Sequence, residues 1–185
     1  MIIVRLKGGL GNQMFQYVFG RVLALKNKTD LKLDISFFNL KLKNITKRSY
    51  DLDVFNIQAG VISKNKIFTY ILLVFKKIIN RDEYFQSYKY FIGFEDIIRK
   101  DFTLKNISTP VQNLALEIIG ENALCIHVRR GDYVGNKTHE VVNSEYYKRG
   151  VEYIKEKSKI EKIYVFSDDI NWCRDNLKFE FPVMF

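Results

Sequence analysis

The sequence predicts an α/β fold of Rossmann type, built on parallel sheets. Three observations carry that expectation. The Ile- and Val-rich run Ile2 to Leu6 is broken by Lys7-Gly8-Gly9-Leu10-Gly11 and followed by a helical stripe and a second apolar run. Asn122 to Val128 reads as a strong strand that ends in Arg129-Arg130-Gly131-Asp132. Ile163 to Phe166 reads as a short buried strand that runs into Ser167-Asp168-Asp169. Strand patterns alternating with helical ones are the mark of βαβ units.

Each element can be justified in order. After the glycine run, Asn12 is expected to cap a helix whose stripe is Met14, Phe15, Val18, Phe19, Val22 and Leu23, a spacing of three and four. Leu31 to Asp34 follows as a second strand. Tyr50 to Ile57 fits either strand or loop, residues 65–79 read as a helix, and the aromatic-rich Tyr84 to Phe91 reads as a strand with a flanking loop. Val111 to Ile119 is a helical pattern before the strand Asn122 to Val128. Asp132 to Val142 is polar, carries Gly135 and reads as a loop or hinge. Ser144 is expected to cap a helix through Lys157, with Glu145 near the positive end of its dipole. A last helix should run from Asp168-Asp169 to Asn176.

Composition bounds the rest. The chain has 185 residues, 47% of them hydrophobic and 28% charged, with two prolines, which is the profile of a folded domain with a core. Cys125 and Cys173 do not make a disulfide framework; each lies in an apolar stretch, so both are expected as packed, reduced thiols in a reducing compartment. The N-terminus has no basic-then-apolar leader pattern, and the longest apolar run, 67–75, is far short of the roughly 20 residues needed to span a bilayer. The net charge of +9 is concentrated early, in Lys26, Lys28, Lys32, Lys41, Lys43, Lys47 and Arg48. Such a surface attracts nucleotides, nucleic acid or anionic membrane, though a solvated lysine face is the plainer reading.

The chemistry sits in four places. Gly8-Gly9-Leu10-Gly11-Asn12-Gln13 lets backbone approach a ligand, and the first amides of a helix attract anions. It is neither the dinucleotide fingerprint, since Met14 stands at the third glycine position, nor a P-loop. The run His127-Val128-Arg129-Arg130-Gly131-Asp132 ends a strand with a fork of guanidiniums, a form suited to a diphosphate. Its plain alternative is an internal ion pair of Arg129 or Arg130 with Asp132. Ser167-Asp168-Asp169 lies where ligands bind in α/β sheets and could hold a ribose hydroxyl or base amine, or cap the next helix through Ser167 or Asp168. Asp51-Leu52-Asp53 has the form of a metal-holding aspartate pair, but such pairs arise by chance, and no metal is expected. His139 reads as an exposed bystander, and no Cys/His spacing suggests zinc.

With these residues in view, the chain resembles the alpha-1,2-fucosyltransferases of glycosyltransferase family eleven. Three blocks carry the resemblance: Ile3 to Tyr17, His127 to Tyr133, and Val165 to Cys173. It implies a GT-B-like architecture of two α/β domains. It implies L-fucose transfer from GDP-L-fucose to the 2-hydroxyl of a galactose-type acceptor, an oligosaccharide or glycolipid, with inversion and without a metal or other cofactor. By the same resemblance Arg129 is the catalytic residue and pairs with the β-phosphate, supported by Arg130 and Asp132. His127 and Asp168 would lie toward the nucleoside, and Gly11 and Asn12 toward the diphosphate and sugar. Gly9 and Ser167 complete the donor-binding set. A bacterial role in surface glycan assembly follows, in the cytoplasm, with peripheral attachment to the inner face of the membrane left open.

Two domains of roughly 100–150 residues do not fit in this length. The expectation is therefore an N-terminal α/β domain over residues 1–134 and the start of a donor-binding domain over 135–185, incomplete at its C-terminal end. One alternative is an inactive remnant that at most binds the GDP-sugar. Another is a basic nucleic-acid-binding domain using the segment from Lys26 to Arg48; no stacking motif supports it, and no nucleic-acid partner is expected.

Overall fold

A computed structural model describes residues 1–40, 47–63, 84–135 and 141–185. The expected helix over 65–79, with its apolar run, and the bystander His139 lie outside the described residues. The chain divides into two compact units, Met1–Asn106 and Ile107–Phe185.

In the first unit, β1 (Ile2–Arg5), β2 (Leu31–Asp34) and β3 (Gly60–Ile62) form a parallel sheet in the order β1-β2-β3. Helix α1 (Leu10–Lys26) makes the crossover from β1 to β2. It begins at Leu10 because Gly8, at φ +80°, turns the chain out of the strand and Gly9 serves as the N-cap with no side-chain cap. Asn12, the expected cap, therefore falls inside the first turn. The face of α1 turned to the sheet is centred on Gln13, Tyr17, Gly20 and Ala24, all buried. Gly20 permits close approach, since a Cβ there would lie 2.6 Å from Val4 Cγ2 and 2.9 Å from Leu31 Cδ1. Val4, Leu6, Tyr17, Val18, Val22, Leu31, Leu33, Leu52 and Ile98 make one continuous core.

The middle of this unit departs from expectation. Around Leu52–Val54 the chain makes a 3-10 turn, and Phe55 bridges antiparallel to Leu104. Tyr84 to Phe91 is not a strand: a 3-10 turn covers Tyr88–Tyr90. Its aromatic rings are used on α1 instead, with Phe85 stacked on Phe19 at 3.9 Å and Tyr90 edge-on to both. A short helix α2 (Glu95–Asp101), which no sequence pattern announced, brings Asp101 into the core. There Asp101 accepts hydrogen bonds from the Tyr17 hydroxyl (2.6 Å) and Arg21 Nε (2.8 Å). Burial, and then the bond to Asp101, push the Tyr17 phenol well above its ordinary range.

The second unit holds α3 (Thr109–Gly120) and a parallel sheet of β4 (Ala123–Val128), β5 (Lys162–Ser167) and β6 (Val183–Met184), in the order β4-β5-β6. Helices α4 (Ser144–Lys155) and α5 (Ile170–Asn176) make the two crossovers. Strand β4 pairs with β5 along its whole length, so it goes with this unit. The division thus falls at Asn106–Ile107, before β4, whereas the sequence placed a boundary at 134/135, after it. The caps differ by one residue from expectation. Asn143, not Ser144, caps α4 by accepting from the Tyr146 N–H, and Asp169 caps α5 by accepting from the Trp172 N–H.

Ile126, Val128, Tyr147, Val151, Ile163, Val165, Cys173 and Leu177 form the core of this unit. Cys173 is packed as expected. Cys125 is not: β4 alternates Ile126 and Val128 inward, and Cys125 and His127 outward, on a strand at the sheet edge.

Candidate active site

The register of β4 and β5 sets the corner on which the second unit's candidate residues meet. Val128 pairs with Ser167, so the turn after β4 and the Ser167-Asp168-Asp169 segment after β5 leave the sheet side by side at its carboxyl end. Ser167 Oγ donates to the Val128 carbonyl at 2.9 Å and accepts from the Asp169 N–H at 2.9 Å, tying the two exits together.

Arg129 lies between two carboxylates. Its Nη1 is 2.6 Å from Asp168 Oδ2, and its Nη2 bonds Asp132 Oδ1. Its guanidinium also stands 5.3 Å from the Tyr133 ring centre. The plain internal pairing with Asp132 is thus present, and Asp168 adds a second partner. The other oxygen of Asp168 accepts from the backbone N–H groups of Arg130 (2.8 Å) and Gly131 (3.1 Å). Burial alone would raise the Asp168 carboxyl; the two amides and the Arg129 charge together outweigh it and hold the group below the ordinary carboxylate range. Gly131 makes the approach possible, because a Cβ there would sit 2.6 Å from Asp168 Oδ2.

Arg130 is treated differently. Its Nε is 3.2 Å from Asp169 Oδ2, and its guanidinium lies over the Trp172 ring at 3.9 Å. Its side chain is only 15% exposed, against 37% for Arg129, so Arg129 is the guanidinium that solvent or a ligand reaches more readily. His127 lines a pocket of about 510 Å³ between β4 and α4, with Cys125, Tyr146, Arg149 and Tyr153.

The glycine turn of the first unit is the second cluster. Among the described residues Gly9 and Gly11 leave the start of α1 uncrowded: nothing lies within 4 Å of a Cβ built on Gly11, and Arg48 Cζ, at 4.0 Å, is what one on Gly9 meets. Asn12 Oδ1 accepts from Gln86 Nε2 at 2.7 Å. Two buried glutamines hold the turn from beneath. Gln13 Nε2 donates to the Gly8 and Ser49 carbonyls, and its Oε1 accepts from the Asp51 N–H. Gln16 bonds both the N–H and the carbonyl of Lys7. Sequence reasoning gave Gln13 and Gln16 no role. The signal was present: both are polar residues within an otherwise apolar helix, and a buried amide needs partners.

Asp51 accepts from the Ser49 hydroxyl, and among the described residues no group of three or more His, Cys, Asp or Glu is placed to hold a metal ion. Among the described residues no helix is long and apolar enough to cross a membrane.

Comparison with known proteins covers both clusters. An alpha-1,2-colitosyltransferase of Escherichia coli is 30% identical over 207 aligned positions, covering 94% of this chain and 71% of the relative. An O-antigen biosynthesis glycosyltransferase of Escherichia coli is 28% identical, covering 92% of this chain and 73% of the relative. A galactoside 2-alpha-L-fucosyltransferase of Caenorhabditis elegans is 30% identical over 102 positions, 51% of this chain and 27% of the relative. No solved structure matches. The model of glycosyl transferase family 11 matches residues 1–183, spanning both the glycine turn and the arginine corner, and the chain belongs to that family.

Proposed function

We propose that the chain transfers L-fucose, or a closely related deoxy sugar such as colitose, from its GDP-activated form to the 2-hydroxyl of a galactose-type acceptor. The single observation that carries this reading is Arg129, held at the carboxyl end of β4 with its guanidinium partly exposed. The names of the relatives supply the sugar and the linkage.

In this reaction the bond between the sugar's C1 and the β-phosphate oxygen breaks as the acceptor oxygen attacks C1 from the opposite face and loses its proton. Configuration inverts. Negative charge develops on the departing diphosphate, and Arg129 stabilises it with no metal ion required. A preorganised donor of this kind is worth roughly 3–4 kcal/mol in a transition state. In the second unit His127, Arg130, Asp132, Ser167 and Asp168 belong to the donor side of the site; in the first unit Gly9, Gly11 and Asn12 at the start of α1 are assigned to donor binding by the family resemblance. The architecture we propose is GT-B-like, with the acceptor an oligosaccharide or glycolipid at the cytoplasmic face of a membrane.

Titration of GDP by calorimetry tests the reading. Arg129→Ala should weaken binding at least tenfold, which is about 1.4 kcal/mol; equal affinity for both proteins would end the idea. The chain spans about seven tenths of the two bacterial relatives. A donor-binding chain without turnover would show GDP binding without fucose transfer to lactose-type acceptors.

A further inference from the structure

We propose that Asp168 is the positioning residue of the donor site: it holds Arg129 and the 129–131 turn in one geometry, and it is not a contact to the nucleoside. This deepens the function proposed above and rests on it for the role of Arg129.

The argument begins with how the carboxylate is used. One oxygen accepts from two consecutive amides, those of Arg130 and Gly131, and the other pairs with Arg129 Nη1. Both oxygens are therefore turned onto the residues of one turn. Asp132 takes the other terminal nitrogen of the same guanidinium. Held at both ends, the planar group cannot rotate. A guanidinium has more N–H groups than two carboxylates use, so donors remain for an anion.

The neighbouring residue repeats the device with a different result. Asp169 takes Arg130, and Trp172 covers that guanidinium's face. Two successive aspartates after β5 thus sort two successive arginines after β4. One is stacked and largely covered, and the other is clamped but left more open. The β4–β5 register and the Ser167 bond to Val128 keep that matching in step. Gly131 belongs to the same device, since any Cβ there would push into the Asp168 carboxylate.

Asp168→Asn separates the two uses. An amide can serve the two N–H groups with its oxygen or face Arg129 with it, but cannot do both, because its NH2 is a donor. The test titrates the full chain and this variant with GDP and with inorganic pyrophosphate. A positioning role predicts that both affinities fall by the same factor, about tenfold. A fall for GDP alone would make Asp168 a nucleoside contact and overturn the proposal, as would unchanged affinity for both.

Arg129→Ala keeps the two claims apart. If it changes neither affinity, or the unaltered chain binds neither ligand, the donor-site reading fails while the clamp is judged separately. That judgement uses urea unfolding of Arg129→Gln, Asp168→Asn and the double variant. Coupled effects support the clamp, and additive ones overturn it. Should Asp168→Asn fail to fold, Asp168→Glu retains the charge while displacing it, and the same two-ligand comparison decides.

Discussion

At the scale of single residues, side chains that look alike in the sequence are given different work by their partners. Arg129 and Arg130 are adjacent and chemically identical, yet one is clamped between Asp132 and Asp168 and the other is laid on Trp172. Gln13 shows how much one buried group can hold. It is fully buried and satisfies two carbonyls and one N–H from Gly8, Ser49 and Asp51. Gln13→Ala would leave those backbone groups short of partners, and we expect a loss on the order of 3 kcal/mol in urea unfolding. The same variant should loosen the glycine turn, because the Gly8 carbonyl is one of the groups released.

At the scale of elements, helix α1 is placed by what it lacks at Gly20. Adding a Cβ there gains about 1 kcal/mol of helix propensity. It also drives a methyl group to 2.6 Å from Val4 Cγ2, and overpacking of that kind costs about 1–3 kcal/mol. Val4 is β-branched and cannot swing aside cheaply, so the penalty wins. Gly20→Ala should lower stability by up to about 2 kcal/mol, read from the urea midpoint at unchanged slope. The same elements show where the sequence pattern was readable. The strands β1, β2, β4 and β5 and the helices α1, α4 and α5 stand where the sequence put them, and each buries residues against its own sheet or its neighbours; α3 also stands where its helical pattern put it, though none of its residues is buried. Tyr84 to Phe91 misled, since aromatic rings that suit a strand also suit stacking on a helix, and local composition does not distinguish the two. In the second unit the caps slipped by one residue because Asn143 and Ser144, or Asp168 and Asp169, are equally able to cap.

At the scale of the whole molecule, each unit carries its own buried core, and among the described residues the carboxyls whose acidity is strengthened lie in the second. Contacts with Lys162 and Tyr164 lower Glu117, the Lys159 ammonium and then Asn122 lower Glu161 to about 2, and Asp168 is lowered by its amides and Arg129 against its burial. A folded-state pKa below the unfolded one contributes stability that is present above the ordinary carboxylate range and lost as pH falls through the folded value. For Glu161 that window runs from about 4.5 down to about 2. Glu161→Gln should flatten the acid limb of a stability–pH curve over that window, and amide exchange in β4 and β5 is the direct reading. An unchanged slope would assign the acid sensitivity elsewhere. The order of apolar and polar residues along the chain was enough to specify the α/β class and the parallel elements, because those depend on local periodicity, while the family was legible through the resemblance of short runs of residue types. That Asp168 meets Arg129 and Asp169 meets Arg130 was not readable, nor were the partners that Gln13 finds at Ser49 and Asp51 or that Asp101 finds at Tyr17 and Arg21. Those pairings join residues about 40 to 80 positions apart, and strand register and helix packing alone bring them together.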